Sequence, residues 1–241
     1  GIMGEPGVGK TRLMLEFKRS LADDDIHFLE GRCLPHGASI AYLPFLDILK
    51  SHFFIKEGQD DSDSTKNIKE KLTFMNNKSP PFMLSAFQQL LSLRIDDKSW
   101  HSIEPKQRRH HTFEALKCLF IRMSEEKPLI IVVDDLQWMD RTSEEFLSSF
   151  IDSISQNPIL LVLLYRPEYS HPWEKKSYYS KIGLGQLTKK YSLELISAVL
   201  KEGAAEDELE QLILRQSAGN PLFIEELIYS LQENHVIEKK N

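Results

Sequence analysis

The sequence predicts an α/β fold in which a parallel sheet is flanked by helices and is followed by a small all-helical lid. Uninterrupted apolar runs, typical of strands buried on both faces, occur at 129–133 and 159–165. Helical patterns alternate with strand patterns through residues 1–185, which indicates crossover connections between parallel strands. The regular patterns in residues 186–241 are all helical. We therefore expect an α/β core over the first range and a helical lid over the second.

Each element is predicted from apolar spacing together with its end signals. In chain order the spacing predicts helix 12–22, strand 25–32, helices 44–54, 82–93 and 106–125, strand 129–133, helix 142–155, strand 159–165, and helices 187–201, 207–217 and 222–234. Pro44 stands in the first turn of its helix, where proline is well tolerated. Asp140 or Thr142 caps the helix over 142–155.

The least informative stretch is an insert over residues 52–106, to which the sequence assigns no role beyond helices beside the sheet. Within it, residues 56–71 are charged and polar and are expected to form a solvated loop. Asp61 and Asp63 resemble part of a calcium-binding loop. However, Lys66 stands where that loop requires glycine, so we expect no calcium site there.

Composition and charge exclude several classes of protein. The chain has 241 residues, of which 41% are hydrophobic, enough for a packed core and too many for a disordered chain. Its net charge of −6 disfavours a nucleic-acid partner. No apolar run approaches the roughly 20 residues of a membrane span, and we expect neither membrane insertion nor a signal peptide. Only 2 cysteines are present, which favours a reducing compartment, and the cytoplasm is expected.

Eight consecutive residues match the phosphate-loop pattern G-x-x-x-x-G-K-[ST] at every fixed position: Gly4, Glu5, Pro6, Gly7, Val8, Gly9, Lys10 and Thr11. The glycines allow the backbone N–H groups of such a loop to surround phosphate oxygens, and the following helix adds its positive end. Lys10 supplies charge to the β- and γ-phosphates, and the Thr11 hydroxyl is a magnesium ligand. A glycine-rich turn without a ligand is the alternative, which the full match disfavours.

Two further strand ends carry polar residues suited to the same chemistry. Asp134 and Asp135 follow the run at 129–133, and ligands of parallel sheets lie at the carboxyl ends of strands. We expect Asp134 to hold magnesium in the Walker B role and Asp135 to polarise an attacking water. Arg166, which follows the run at 159–165, is placed to sense the terminal phosphate. Taken alone, these residues could also be a capped turn and an exposed arginine.

Four segments together resemble a known family: GEPGVGKT, IIVVDDLQWMD, LLVLLYRPE and GNPLFIEEL. The chain resembles, over essentially its whole length, the ATPase domain of the STAND signalling class. These are AAA-like, origin-recognition-like P-loop ATPases found joined to adenylate or guanylate cyclases, protein kinases and helical-repeat regulators. The phosphate loop and the aspartate after an apolar strand are typical of P-loop NTPases at large, whereas the fuller pattern DDLQWMD, together with GNPLF, points to this particular class.

The resemblance implies an ATP and Mg²⁺ site in which Lys10, Asp135 and Arg166 serve catalysis and Pro221 approaches the adenine from the helical lid. ADP would be the product. The motif begins at Gly4 and leaves no room for a full strand before it, so we expect this chain to be a fragment with a truncated first strand. Family members also carry an adenine-contacting segment upstream of the phosphate loop, which this chain is expected to lack. The resemblance further implies an output domain in the same parent chain and nucleotide-dependent self-association. The sequence identifies no obvious arginine that acts on a second copy: Arg141 follows Asp140 in a plausible place but could equally cap a helix or face solvent.

These expectations leave more than one function open. The first is an ATP-hydrolysing regulatory module of signal transduction, in which the nucleotide holds the lid against the core. The second is a nucleotide-gated scaffold with negligible turnover, which requires the same phosphate loop. A DNA-associated AAA-type ATPase would need a basic face or a helix-turn-helix, and a small-molecule kinase would need an acceptor site; the sequence shows neither.

Overall fold

The structure is a computed structural model that describes residues 1–37, 39–73, 79–200 and 207–234. In chain order the described elements are β1 (Ile2–Gly4), α1 (Lys10–Ser20), β2 (His27–Arg32), α2 (Leu43–His52), α3 (Asp61–Leu72), α4 (Met83–Leu90), α5 (Lys98–Ser102), α6 (Pro105–Glu126), β3 (Leu129–Asp134), α7 (Arg141–Ile154), β4 (Ile159–Tyr165), β5 (Ile182–Leu184), α8 (Lys189–Leu200), α9 (Asp207–Ser217) and α10 (Pro221–Glu233). Short 3₁₀ helices span Leu136–Trp138 and Pro172–Lys175.

The described residues form two compact units. The first unit combines Gly1–Arg19, Tyr165–Ser170 and the described part of Lys181–Asn241. The second unit combines Ser20–Leu164 and His171–Ser180. The phosphate-loop motif therefore belongs to one unit and the Asp134–Asp135 pair to the other.

In the first unit, a pair of short parallel strands supports the loop that leads into α1. β1 pairs with β5 so that Ile2 faces Ile182 and Gly4 faces Leu184. The helices α8, α9 and α10 enclose their own small core of isoleucines that are almost fully buried: Ile196, Ile213, Ile224 and Ile228. Helical apolar spacing thus produces a three-helix cluster beside the strand pair.

In the second unit, three parallel strands place β3 between β2 and β4. Leu129 faces His27 on one side and Ile159 on the other, and Asp134 faces Arg32 at the other end of β2. All side chains of β3 except Asp134 are buried, as expected for an apolar strand covered on both faces.

An aromatic cluster joins three helices of the second unit. Phe45 of α2 contacts Phe146 of α7 edge to face, with ring centroids 4.7 Å apart. Phe146 also stacks on Phe150 of α7 at 5.8 Å, and Phe120 of α6 lies 5.5 Å from Phe150. Such aromatic pairs each stabilise a core by about 0.5–1.5 kcal/mol beyond the area that they bury.

The predicted α/β fold, a parallel sheet flanked by helices with a helical region after it, is confirmed. The bounds of β4 and α9 coincide with the predicted ranges, and Asp140 is the cap of α7. Lys201, the predicted end of α8, lies outside the described residues. The domain boundary near Gly185 stays a prediction.

One expectation was wrong, and one strand was missed. Residues 56–71 were expected to be a loop, but Asp61–Leu72 form the helix α3. Acidic residues in its first turn and Lys69 and Lys71 in its last turn complement the helix dipole, and Ile68 is fully buried. The strand β5 over Ile182–Leu184, at the end of the expected core, was not predicted.

The described helices also bear on membrane insertion. Within the described part of the chain, none of them combines the length and the apolar composition that crossing a lipid bilayer demands.

Candidate functional site

The phosphate-loop motif forms a tight turn between β1 and α1. Gly7 and Gly9 have φ angles of 80° and 101°, a region that residues with a side chain rarely adopt. The turn is closed by a hydrogen bond from the Val8 N–H to the Glu5 carbonyl, and the Leu13 N–H donates to the Gly9 carbonyl as α1 begins. The two glycines are therefore required by the path of the backbone.

Lys10 is buried, with 8% of its surface exposed, although it carries a charge. Its Nζ donates to the carbonyl oxygens of Gly4 at 2.7 Å and Glu5 at 3.1 Å, two residues of the loop itself. These bonds hold the ammonium group against the loop. Thr11, the next residue of α1, is exposed.

This loop has the features that a phosphate group requires. A Cβ atom built at Gly9 would meet nothing within 4 Å, so the space beside this backbone position is open. The N-terminal turn of α1 contains no acidic residue that would repel an anion. The open backbone, the helix N-terminus and the Lys10 ammonium fit a phosphate.

The first turn of α10 lies against the same loop. Asn220 caps α10 by accepting hydrogen bonds from the N–H groups of Leu222 and Phe223. Its Nδ2 also donates to the carbonyl of Pro6 at 2.9 Å. Pro221, expected at the adenine, is the first residue of α10 and immediately follows this cap.

In the second unit, Asp134 ends β3 and Asp135 begins the following turn. Oδ1 of Asp134 accepts the N–H of Asp135 at 2.8 Å, and the Asp134 carbonyl accepts the N–H of Cys33 at 3.0 Å. Asp135 adopts a left-handed conformation with φ 59°. Positive φ is uncommon outside glycine and concentrates at functional sites.

Both carboxylate oxygens of Asp135 accept hydrogen bonds from side chains. Arg32, at the end of β2, donates to Oδ2 through Nε at 3.2 Å and Nη2 at 3.0 Å. Nε2 of Gln137 donates to Oδ1 at 2.9 Å. The side chain of Asp135 is 20% exposed, so this carboxylate is fixed in orientation but still reached by water.

The electrostatic environment of these strand ends is negative. Burial raises the pKa of the Cys33 thiol to about 12, and the carboxylates of Asp140, Asp135 and Asp134 add to the effect. The Arg32 guanidinium, paired with Asp135, offsets part of this negative charge. Carboxylate and hydroxyl oxygens such as those of Asp134 and Thr11 suit Mg²⁺. Among the described residues, no group of three or more His, Cys, Asp or Glu could hold a metal ion by itself.

Arg166 directly follows β4, at the strand end where it was expected. Its Nη1 lies 3.9 Å from Glu168, its side chain is 30% exposed, and its carbonyl accepts the N–H of Tyr169. It belongs to the first unit, as do the phosphate loop and Pro221. The roles of all these residues stay predictions.

Three residues that contact either the phosphate loop or the Asp134–Asp135 pair had no assigned role in the sequence-based prediction: Arg32, Gln137 and Asn220. Gln137 and Asn220 lie inside the segments DDLQWMD and GNPLF, so the motifs included them without distinguishing them. Arg32 gave no such signal, because its partner Asp135 lies 103 residues away in the sequence.

Comparison with known proteins identifies relatives of low identity along nearly the full chain. An uncharacterized protein of Rhizobium meliloti (strain 1021) is 28% identical over 97% of this chain and 22% of its own length. Adenylate cyclase type 10 of Mus musculus is 24% identical, and that of Rattus norvegicus 21%, each over 97% of this chain. The chain spans only 15% of the length of these two cyclases.

Two family models match consecutive parts of the chain. Residues 188–241, which include α8 to α10, match a domain of unknown function. Residues 2–163, which include the phosphate loop, the Asp134–Asp135 pair and most of β4, match the model of the AAA ATPase domain. This match covers more than half of the chain, and the protein accordingly belongs to the AAA ATPase domain family.

Proposed function

We propose that this chain is an ATP-hydrolysing regulatory module of the STAND type that couples its nucleotide state to an output domain in the same parent protein. The observation that carries the proposal is the phosphate loop, with two glycines at positive φ and a buried lysine on its carbonyls. The AAA family supports nucleotide binding in general. ATP, rather than another nucleotide, is part of the proposal.

Each site residue has a proposed task. On nucleotide binding, the Lys10 ammonium turns from the loop carbonyls to the β- and γ-phosphates. Thr11 and Asp134 are the residues we propose to hold Mg²⁺, which when bound supplies positive charge to the phosphates. Asp135 orients and polarises the attacking water, and Arg166 senses the terminal phosphate. Pro221 is proposed to contact the adenine.

The regulatory role is supported by the relatives. Two of them are named adenylate cyclases, and this chain corresponds to a small part of each. A nucleotide-binding region within a much longer protein is suited to a switch that acts on a neighbouring domain. The attached cyclase, kinase or helical-repeat domain, and nucleotide-dependent self-association, belong to this proposal.

The experiment that tests nucleotide binding is titration calorimetry with ATP and Mg²⁺ on the unsubstituted protein, called the parent below, and on Lys10→Ala. We expect Lys10→Ala to weaken binding about ten- to a hundredfold, because a charged hydrogen bond contributes about 1.5–3 kcal/mol. Lys18→Ala is the matched control, since Lys18 is exposed in the last turn of the same helix. Equal affinities of the parent and Lys10→Ala would refute the assignment of the loop.

A second candidate, a nucleotide-gated scaffold with negligible turnover, is favoured by the contacts of Asp135. A general base needs an available lone pair, and the bonds from Arg32 and Gln137, one to each oxygen of Asp135, leave fewer lone pairs for an attacking water. If Arg32 restrains the base, Arg32→Gln should raise the rate of phosphate release several-fold at unchanged ATP affinity. An ATPase is indicated if the parent releases phosphate and Asp135→Asn lowers that rate at least about a hundredfold. No release by either protein would indicate the scaffold.

A further inference from the structure

Residues 218–220, the segment between α9 and α10, form hydrogen bonds to two other parts of the first unit. Gly219 has φ 78°, and a Cβ atom there would lie 2.5 Å from the carbonyl oxygen of Leu187. The Leu187 N–H donates to the Gly219 carbonyl at 2.8 Å. The next residue, Asn220, is 5% exposed and reaches the phosphate loop. The segment therefore has little freedom to move independently of its neighbours.

The contact between this segment and the loop consists of backbone groups and one amide side chain. Nδ2 of Asn220 donates to the Pro6 carbonyl at 2.9 Å, and the Leu222 N–H donates to the Gly7 carbonyl at 3.3 Å. A Cβ atom at Gly7 would lie 2.6 Å from Oδ1 of Asn220 and 2.8 Å from Cβ of Leu222. The loop backbone and the start of α10 are thus in direct contact, with no space for a side chain.

Asn220 uses its two amide atoms for two different purposes. Oδ1 caps α10 at the N–H groups of Leu222 and Phe223, while Nδ2 bonds to a loop residue 214 positions away in the sequence. One side chain therefore joins the loop conformation to the position of the helix N-terminus. A change in the loop at Pro6 or Gly7 acts on α10 through these bonds.

We propose that Asn220 is a positioning residue that keeps the phosphate loop in its binding-competent conformation and transmits nucleotide occupancy to α10. This inference rests on the proposed ATP site but assigns Asn220 no contact with the nucleotide. Without the Nδ2 bond the loop samples other conformations, and the apparent affinity falls with the competent fraction. Because coupling is reciprocal, nucleotide in the loop in turn stabilises the first turn of α10.

Asn220→Ser separates the two purposes. Serine retains a good helix cap but ends short of the Pro6 carbonyl and adds no charge. The matched control is Asn234→Ser, which removes the exposed C-terminal cap of the same helix, where Nδ2 donates to Ser230. If Asn220→Ser does not fold, Asn220→Thr also keeps a hydroxyl cap, lacks the amide donor and adds no charge, with Asn234→Thr as its control.

Three measurements are made on each protein: thermal melting without nucleotide, ATP·Mg²⁺ affinity by calorimetry, and hydrogen exchange of the α10 amides with and without ATP. We expect Asn220→Ser to melt close to the parent, to bind ATP about tenfold more weakly and to lose the ATP-dependent protection of α10. Asn234→Ser should bind ATP with parental affinity and retain the protection.

The outcomes distinguish this inference from the proposed function. If the parent and Lys10→Ala both fail to bind ATP, the proposed function fails, and this inference falls with it. If the parent binds ATP but Asn220→Ser shows the same affinity and the same protection of α10, only the role of Asn220 is refuted. Equal losses in Asn220→Ser and Asn234→Ser would show a general effect of helix stability and would also refute it.

Discussion

Gly31 in β2 lies against the first turn of α2. A Cβ atom at this position would lie 2.1 Å from the carbonyl oxygen of Pro44 and 2.8 Å from its carbonyl carbon. Both atoms are backbone, so no change of rotamer can relieve the clash. Gly31→Ala must therefore displace α2 from β2 by more than about 1 Å to reach an ordinary contact distance.

The expected loss of stability in Gly31→Ala follows from the cost of overpacking a buried contact. Inserting a methyl group into a packed site costs about 1–3 kcal/mol, and we expect the upper part of that range because the clash is with backbone. For a chain of this size each kcal/mol lowers the melting temperature by about 2–4 °C, so Gly31→Ala should melt roughly 4–12 °C below the parent. Differential scanning calorimetry and urea unfolding both measure the difference.

Gly183→Ala in β5 is the matched control. A Cβ atom at Gly183 would meet nothing within 4 Å, and its backbone lies outside the positive-φ region. We expect its stability to stay within about 0.5 kcal/mol of the parent. If Gly31→Ala and Gly183→Ala both had the melting temperature of the parent, the close packing of α2 on β2 would be refuted.

Two further predictions concern stability. Burial lowers the pKa of His52 from 6.5 to about 4, and nearby Lys71 adds to the effect. Because the folded state disfavours the imidazolium, the contribution of His52 is full above pH 6.5 and is lost as the pH falls toward 4. Between about pH 7.5 and pH 5, the free energy of unfolding measured with urea should therefore fall by about 2 kcal/mol more in the parent than in His52→Gln. Parallel pH profiles of the two proteins would contradict this. Asp140 caps α7 and accepts from the buried Ser143, so Asp140→Ala should cost about 2 kcal/mol in the same assay and Asp140→Asn clearly less. Equal losses in both variants would show that the cap bond is not the cause.

Strong local patterns allowed much of the fold to be predicted. The apolar run over Ile159–Tyr165 became β4 with the predicted bounds, since an uninterrupted run of this length is too short for a typical buried helix and favours a strand. The helix over Asp61–Leu72 was missed because only Ser64 and Ile68 are buried, too few for a visible apolar stripe. β5 was missed because three residues with a central glycine carry little strand signal.

The candidate site was predictable where its chemistry is local in sequence. The loop motif and the Asp134–Asp135 pair are contiguous, and their positions at element ends agree with the predicted strands and helix. The bonds of Arg32 to Asp135 and of Asn220 to Pro6 could not be predicted, because they join residues that only the folded chain brings together.

The buried Cys33 offers a built-in chemical probe of the strand ends beside Asp134. With 1% of its surface exposed and a pKa raised to about 12, its thiol is both inaccessible and protonated, so alkylating reagents that attack thiolates should modify it only when the backbone around it opens. The modification rate of Cys33 then reports how often the ends of β2 and β3 open. Measured with and without nucleotide, it would show whether ligand binding closes this part of the second unit, without the introduction of any label.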